Sequence, residues 1–401
     1  MEGLNNMIKV ANNNRWMTGF KVASSVGGME VTHLLYADDT LVFCDAKEEE
    51  LRHLKIILTI FEAVSGLHVN WRKSLIFPVN EVTAIQRLTG VLGCTVGTLP
   101  TTYLGLPLGS KNKSLDIWSR VLERCEKRLA KWKSQYISLG GRVTLVNSVL
   151  DALPTYMMSL FPIPTKIEKR INVMRRNFIW QGNKEKGGYH LVNWKVLTQA
   201  KKSGGLGIRN LRLHNKSLLM KWLWRFGRED ETLWRQVIIE KYGLEGQWIP
   251  RAVTTTYGVS VWRSIRAYWP LFAENISIVV GNGRKTSFWN DNWLGHGPLK
   301  DLFSDMKVLS LNNEATVEDN SKFEGLGRYL KGKKDRYRTR EVWWLRGIDL
   351  GVFGQEESEM VLWCIFGRKR SIAGGGGDFR PAALGRRAAE TVVIKTDLRD
   401  D

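Results

Sequence analysis

The spacing of apolar residues predicts helices in two parts of the first 110 residues. Within 2–12 and again within 48–64, apolar side chains recur every three or four positions, which is typical of a helix with one buried face. Ser65-Gly66 interrupts the second pattern, and glycine commonly ends a helix in this way. We therefore expect one amphipathic helix at each place, each followed by a pair of strands.

The first of these strand pairs leads into a second, shorter hairpin. Residues 19–36 favour two strands joined by a turn at Gly27-Gly28. Residues 33–44, HLLYADDTLVFC, then carry apolar runs on both sides of Asp38 and Asp39. This pattern predicts a tight hairpin of two buried strands with the two acids at its tip.

Beyond residue 110 the chain changes character. Apolar residues from Trp118 to Trp132 lie on one helical face, and the glycines of GGRV at 140–143 open a further helix. The end of the chain is biased toward Gly, Ala and Arg without a sustained period, so we expect disorder there. The predicted fold class is α+β, with units at 1–110, 111–180, 181–305 and a largely disordered tail at 306–401.

Positive charge is concentrated in the middle of the chain. The 60 Lys and Arg exceed the 40 Asp and Glu to give a formal net charge of +20, which favours a polyanionic partner over a merely basic soluble protein. Between Lys166 and Arg228 there are 16 Lys or Arg and two acids. Four tryptophans lie among them: Trp180, Trp194, Trp222 and Trp224. Cations beside aromatic rings suit a nucleic-acid strand, whereas for any single tryptophan a place in the core is the stronger interpretation.

Asp38 and Asp39 are the clearest candidates for chemistry. Two adjacent carboxylates between apolar strands are costly unless a positive group neutralises them. Mg²⁺ prefers carboxylate oxygens and leaves positions for water and phosphate, and two such ions can serve a phosphoryl transfer. As a bare pattern, a solvated Asp-Asp turn explains the pair equally well.

Other classes of site find little support in the sequence. The four cysteines, Cys44, Cys94, Cys125 and Cys364, are far apart and form no Cys-x-x-Cys pair, which argues against zinc and against a disulfide framework. No apolar stretch reaches the length of a membrane span, and no phosphate-binding glycine loop or His-Glu-x-x-His motif occurs. We expect no membrane association and scattered histidines without a ligand role.

Several ordered motifs resemble one family. Tyr36-Ala37-Asp38-Asp39 is similar to the catalytic motif of reverse transcriptases. SGLHVNWRKS, YLGLPLG and RLAKWKSQYISLGGRVTLVNSVLDALPTYMMSLFPIP, with the later FIWQGN, GGLGIRNL and GNGRKTSFWNDNWLG, resemble the LINE-type (non-LTR) retrotransposon enzymes of plants. The resemblance runs, with interruptions, from about residue 1 to about residue 305.

The resemblance implies a role for particular residues. Asp38 and Asp39 would be the palm carboxylates that hold Mg²⁺ or Mn²⁺, and Lys73 would lie near the phosphates of the incoming deoxynucleotide, although an exposed lysine after a strand is an equal alternative. The hairpin that grips the primer would comprise Tyr103, Leu104, Gly105, Leu106, Pro107, Leu108 and Gly109. A basic helical thumb over 115–180 would follow the duplex of RNA template and DNA primer by shape and backbone, and the cations expected to contact it are Lys131, Lys133, Arg142, Arg175 and Arg176.

The sequence also departs from the family pattern. The family carries a third aspartate on an upstream palm strand, but only Glu2 and Glu30 precede Asp38 here. We therefore expect a fragment that begins after the upstream motifs, lacks the fingers and is inactive alone. No downstream Cys/His zinc segment is present, and beyond the motifs, which end near residue 305, all likeness to the family is lost after about residue 335.

Three hypotheses remain open at this point. The chain is a fragment of an RNA-directed DNA polymerase, or a basic nucleic-acid-binding remnant without catalysis, or a relic that folds poorly. Steep salt dependence of binding without polymerisation would favour the second, and protease sensitivity across the first 110 residues would favour the third. The expected partner alone favours the nucleus or the cytoplasm as its location.

Overall fold

The computed structural model describes residues 1–22, 28–79, 82, 84–110, 114–131, 136–180, 190–253, 261–320 and 391–399. Its helices are α1 Glu2–Asn13, α2 Glu48–Ser65, α3 Ile85–Leu92, α4 Ser119–Lys131, α5 Leu139–Leu145, α6 Thr155–Leu160, α7 Thr165–Trp180, α8 Trp194–Leu197, α9 Leu211–Arg228, α10 Leu233–Tyr242, α11 Val261–Arg266, α12 Trp269–Glu274, α13 Leu299–Leu302, α14 Ser304–Leu309 and α15 Val317–Asn320. Its strands are β1 Phe20–Lys21, β2 Glu30–Val31, β3 His33–Tyr36, β4 Asp39–Asp45, β5 His68–Val69, β6 Leu75–Pro78, β7 Thr95–Val96, β8 Thr101–Tyr103, β9 Leu106–Leu108, β10 Leu244–Glu245, β11 Ile249–Pro250 and β12 Thr391–Arg399.

The main sheet has six strands, and the last strand of the chain lies at its centre. Its order is β3-β4-β12-β6-β7, and β5 pairs with the end of β12. β12 runs antiparallel to β4 from Thr391 opposite Asp45 to Asp397 opposite Asp39. On its other side it pairs with β6. Within the part of the chain that the structure describes, β4 and β6 are therefore joined only through β12.

The tail predicted to be largely disordered, 306–401, contains this strand. Residues 391–399 form a central strand, and the end of α14 and all of α15 lie at the beginning of the same range. These parts are ordered, and the prediction for the rest of the tail stays a prediction. Val392, Val393 and Ile394 supply the β-branched side chains that favour a strand, and all three are buried. The Gly- and Arg-biased sequence before them conceals this short run, because pairing between strands that are distant in the chain gives no local signal.

The two faces of the sheet support separate cores. On one face, Val392 and Ile394 of β12 pack in a cluster with apolar residues of α1, α2 and α3. On the other face, Val393 joins a larger cluster that contains Leu41 and Phe43 of β4, the β8–β9 hairpin and most of the later helices. Successive side chains of a strand point to opposite faces, so β12 contributes to both cores.

Several predicted elements are confirmed. The two expected amphipathic helices are α1 and α2, and α2 ends at Gly66 in the left-handed region with φ +75°. The 33–44 hairpin is β3–β4, in which Tyr36 pairs with Asp39. Strands β1 and β2 pair as expected, while the turn predicted at Gly27 and the end of the apolar face at Trp132 fall outside the described residues. The domain boundaries stay predictions.

The tryptophans of the basic region divide between core and half-buried positions. The Trp222 side chain is buried, its ring lies 5.1 Å from that of Trp234, and its Nε1 donates a hydrogen bond to the Ser159 carbonyl at 2.8 Å. Trp180, Trp194 and Trp224 are half-buried. The core interpretation is therefore confirmed for Trp222, which has no face available to a nucleic-acid base.

A buried ion pair fastens the helical region. The side chains of Asp151 and Arg175 are both fully buried, and Arg175 Nη2 lies 3.0 Å from Asp151 Oδ1. Arg175 also donates hydrogen bonds to Asn172 Oδ1 and to the Arg209 carbonyl, both at 2.8 Å. Burial raises the pKa of Asp151 to about 6, against the opposing attraction of Arg175. The pair thus joins α7 to the segment before α6 at the cost of desolvating both charges, and the hydrogen bond from Arg175 to Arg209 joins α7 to the loop before α9.

None of the helices among the described residues is long and apolar enough to cross a membrane.

Replacement of Asp151 by alanine is expected to lower the free energy of unfolding by about 3–5 kcal/mol, because it leaves the Arg175 charge buried without its carboxylate. The matched control is Glu126→Ala, which removes a partner of Arg170 from an exposed pair at 2.8 Å and should cost less than about 1 kcal/mol. Urea unfolding measures both. Equal losses in the two variants would contradict the structural role of the buried pair.

The central position of β12 can be tested by a disulfide. Val392 is the register partner of Cys44, and both side chains lie in the same core, at a separation that antiparallel pairing makes suitable for an S–S bond. In a chain whose other three cysteines are alanine, Val392→Cys should form an intramolecular disulfide with Cys44 under mild oxidation. Mass spectrometry and non-reducing electrophoresis detect it.

The control for this disulfide is the neighbouring position. Val393→Cys faces the opposite core and should leave Cys44 reduced in the folded chain. Cross-linking of both variants to the same extent, or of neither, would show that β12 does not hold this register in solution.

Candidate carboxylate site

The β3–β4 hairpin presents Asp38 and Asp39 at its tip. Tyr36 and Asp39 form the last pair of the ladder, so Ala37 and Asp38 make a two-residue turn. Ala37 has φ +49°, a left-handed conformation that a non-glycine residue adopts at some cost. The Asp38 side chain is exposed and Asp39 is half-buried. The turn therefore places one carboxylate in solvent and the other at the edge of the core.

β12 brings two further charged residues to this tip. Lys395 and Asp397 are separated by one residue, so their side chains lie on the same face of the sheet as Asp39. Lys395 Nζ lies 3.4 Å from Asp39 Oδ1, and Asp397 is the register partner of Asp39. The hairpin tip is thus flanked by an ammonium group and by a third carboxylate from the far end of the chain.

Main-chain hydrogen bonds fix the polar end of β12 on both sides. The Leu398 amide donates to the Asp38 carbonyl at 2.9 Å, and the Asn70 amide donates to the Asp397 carbonyl at 3.0 Å. The turn that contains Asn70 also carries Lys73, whose half-exposed Nζ lies 3.9 Å from Asp397 Oδ2. Lys73 is therefore next to Asp397, which in turn lies opposite Asp39 in the sheet.

The YLGLPLG segment forms the β8–β9 hairpin beside this group. Tyr103 is buried, and Lys395 Nζ lies 5.4 Å from the centroid of its ring. Leu104 and Gly105 at the turn both have positive φ, at +47° and +87°, and the Leu104 carbonyl accepts a hydrogen bond from the Tyr156 hydroxyl at 2.8 Å. The strands are completed by Leu106, Pro107 and Leu108, and Gly109 follows with φ +78°.

An open cleft of about 500 Å³ lies against this hairpin. Thr102, Gly105 and Pro107 form one wall, and α4 contributes the exposed residues Arg120 and Arg124. Arg120 Nη1 donates a hydrogen bond to Thr102 Oγ1 at 3.2 Å. The hairpin expected to grip a primer is therefore next to a basic opening.

The cations expected to contact nucleic acid have different surroundings. Arg175 is fully buried in its pair with Asp151, so its assignment to nucleic-acid binding is wrong: its apolar neighbours and hydrogen-bond acceptors exclude a phosphate. Arg142 donates hydrogen bonds to the Ile137 and Ile179 carbonyls, and half-buried Arg176 lies 5.9 Å from the Trp194 ring. The side chain of Lys131 and all of Lys133 fall outside the described residues.

The charges around Asp39 act in opposite directions. Burial raises the pKa of the Asp39 carboxyl, and the charge and hydrogen bond of Lys395 oppose this rise. The negative charges of Asp38 and Asp397 raise the same pKa further. The ionised form of Asp39 is therefore disfavoured mainly by burial, and a bound cation beside Lys395 would offset that cost.

The donor set suits a divalent cation, but its present arrangement is not a closed cage. Among the described residues, no group of three His, Cys, Asp or Glu side chains is close enough to hold a metal ion. Asp38 and Asp39 nevertheless offer adjacent carboxylate oxygens, which Mg²⁺ and Mn²⁺ prefer, and Mg²⁺ commonly uses only one or two protein carboxylates. These two residues, with Asp397 beside them, could hold such an ion.

Part of the chain matches a known protein family. Residues 4–108 match the family model described as reverse transcriptase (RNA-dependent DNA polymerase), a span that contains the carboxylate hairpin, Lys73 and most of the YLGLPLG segment. The match confirms the resemblance to reverse transcriptases over these residues.

Two proteins of Arabidopsis thaliana extend the similarity. One, named as a ribonuclease H protein, is 32% identical over 203 residues, which are 49% of this chain and 32% of that protein. The other, named as a mitochondrial protein, is 29% identical over 144 residues, which are 36% of this chain and 93% of that protein. The chain thus spans about a third of the first relative and nearly all of the second.

Sequence reasoning did not identify Lys395 and Asp397. Both lie in the segment that was expected to be disordered, and the β-branched residues of TVVI at 391–394, which favour a strand, are the one signal that could have indicated it. Nothing in those residues says that the strand pairs with β4. The register that places Asp397 opposite Asp39 is a property of the folded sheet.

Proposed function

We propose that this chain is part of an RNA-directed DNA polymerase of the plant non-LTR retrotransposon type, and that Asp38 and Asp39 are its catalytic carboxylates. The reaction is the addition of deoxynucleotides to the 3′ end of a DNA primer on an RNA template. One observation carries the proposal: the carboxylate pair lies at the tip of a hairpin within the residues that match the reverse transcriptase family.

The proposed roles follow the geometry of the tip. Asp38 and Asp39 would hold Mg²⁺, which in such enzymes stabilises the attacking and leaving oxygens of the phosphoryl transfer. Asp397 would add negative charge beside this pair without being a ligand, since it is the register partner of Asp39 and is positioned by main-chain hydrogen bonds on both sides. Lys73, half-exposed and next to Asp397, would meet the phosphates of the incoming nucleotide.

The surroundings of the tip would receive the nucleic acid. The β8–β9 hairpin, which contacts Lys395 through Tyr103, would hold the primer end. Arg120 and Arg124 in the adjoining cleft would neutralise phosphates of the duplex, since affinity for nucleic acid depends mainly on such cations. The later helices would support this surface as a thumb.

A second candidate is nucleic-acid binding without catalysis. It is favoured by the net charge of +20, which suits a polyanionic partner. The two candidates share the duplex-binding surface and differ only in the chemistry of the carboxylates.

Conversion of either Asp38 or Asp39 to asparagine should weaken Mn²⁺ binding by at least about tenfold, because a neutral amide is a poorer ligand than a carboxylate. Electron paramagnetic resonance of free Mn²⁺ measures the affinity. Asp45→Asn, at the opposite end of β4, is the matched control and should bind Mn²⁺ as the unchanged chain does.

Primer extension on an RNA template separates the two candidate functions. Metal-dependent extension that disappears in both variants would establish the polymerase. The non-catalytic alternative would remain if neither the unchanged chain nor the variants extended the primer although they bound the template. The Mn²⁺ affinity would then also be the same with and without the Asp38 and Asp39 carboxylates.

The affinity for an RNA–DNA duplex should fall steeply with salt. Arg120→Ala and Arg124→Ala should each reduce the slope of log affinity against log salt by about 1, as expected for the loss of one phosphate contact. Arg52→Ala provides the control, because this exposed arginine of α2 belongs to the helices on the opposite face of the sheet. Fluorescence anisotropy at several salt concentrations measures the slope; an equal change in the Arg52 variant would place the duplex elsewhere.

A further inference from the structure

Lys395 occupies the position beside Asp39 that a cation would be expected to take. Its Nζ lies 3.4 Å from Asp39 Oδ1, and the side chains of the two residues are 26% and 20% exposed. Lys395 pairs with Leu41 in the register, so it is the diagonal neighbour of Asp39 on the same face of the sheet. The contact is thus short, partly sheltered and set by strand pairing.

The ammonium group has a second partner beside the first. The face of the Tyr103 ring lies 5.4 Å from Nζ, a distance at which an aromatic ring attracts a cation. A lysine carries a point charge on a flexible stem. A small movement of the Lys395 side chain can therefore break its contact with the Asp39 carboxylate and keep its contact with the Tyr103 ring. Departure from Asp39 therefore does not require burial of an uncompensated charge.

The backbone of β12 stays in place during such a movement. The hydrogen bonds from Leu398 to the Asp38 carbonyl and from Asn70 to the Asp397 carbonyl hold both edges of the strand just after Lys395. The Asp397 carboxylate has its own cation in Lys73. The side chain of Lys395 can thus leave while the other groups of the site keep their positions.

We propose that Lys395 is a resident counter-cation of the Asp38–Asp39 site, which neutralises Asp39 when no metal is bound and which a divalent cation displaces toward Tyr103. The proposal rests on the metal-binding role assigned to the two aspartates under the proposed function. It adds that metal binding and the position of Lys395 are coupled, so that the strand from the far end of the chain sets the metal affinity of the hairpin.

Charge balance supports this exchange. Around the tip there are three carboxylates, from Asp38, Asp39 and Asp397, and two ammonium groups, from Lys395 and Lys73. A divalent cation that entered while Lys395 stayed on Asp39 would meet a like charge at close range. Entry accompanied by displacement of Lys395 replaces one positive charge by two at the carboxylate pair.

The test is the Mn²⁺ affinity of the full chain, measured by electron paramagnetic resonance, in a series of single variants. Lys395→Met removes the competing charge and keeps the length of the side chain, so Mn²⁺ should bind about fivefold more tightly. Lys395→Arg keeps the charge and should bind no more tightly than the unchanged chain. Lys47→Met removes instead a cation that pairs with Asp45 at the opposite end of β4, and should have an effect of less than about twofold.

A second readout follows the displaced side chain directly. In the unchanged chain labelled with ¹⁵N-lysine or ¹³C-lysine, the Lys395 side-chain signal, assigned by its loss in Lys395→Met, should shift when diamagnetic Mg²⁺ is added. The Lys73 signal should shift much less.

The outcomes separate this inference from the proposed function. Mn²⁺ binding that depends on Asp39 but is unchanged in Lys395→Met, with no shift of the Lys395 signal, overturns the counter-cation and leaves the metal site standing. Mn²⁺ binding that does not depend on Asp38 or Asp39 overturns both. Tighter binding in Lys395→Met alone supports the inference, whereas equal tightening in Lys47→Met overturns it, because the change would then be a general effect of net charge.

Discussion

Main-chain pairing of β12 is the interaction on which the rest of the described sheet depends. β4 and β6 have no direct pairing with each other, and β12 bonds to both. Without this strand, buried N–H and C=O groups on both neighbours would lose their partners, which costs free energy comparable to lost hydrogen bonds. The alternation of Val392, Val393 and Ile394 also places apolar side chains in the cores on both faces, so one nine-residue segment joins both layers of helices.

The same constraint determines the chemistry of the hairpin tip. Burial of the apolar part of β12 sets the register, and this register also fixes where its polar end lies. Asp397 must lie opposite Asp39, with Lys395 two residues away on the same face. A slip of one residue would turn every side chain to the other face. The charges at the candidate site are therefore a consequence of how the core is packed, and stability and site geometry cannot vary independently here.

Local patterns predicted what is local and failed where distant segments meet. The helix that ends at Gly66 and the hairpin at Asp38-Asp39 are each specified by a contiguous period and a stop signal, and both are found. The apolar run within the strand at 391–399 is too short to reveal a strand among its irregular surroundings. Arg175 was misassigned for a related reason, since a cation on an amphipathic helix looks the same in sequence whether its face meets solvent or, as here, a buried aspartate.

The chain contains two carboxylate–cation pairs that differ in burial, Asp151–Arg175 and Asp39–Lys395. The difference in burial makes the first a permanent structural contact and the second an exchangeable one. Asp151 and Arg175 are fully buried, and the rigid guanidinium fork is held by several acceptors at once, so neither charge can leave without an uncompensated partner. The side chains of Asp39 and Lys395 are partly exposed, and Lys395 Nζ lies 3.4 Å from Asp39 Oδ1. The flexible ammonium group also has an aromatic ring beside it. Only the second pair can give up its cation to another ion, and it is the one that lies within the residues similar to reverse transcriptases.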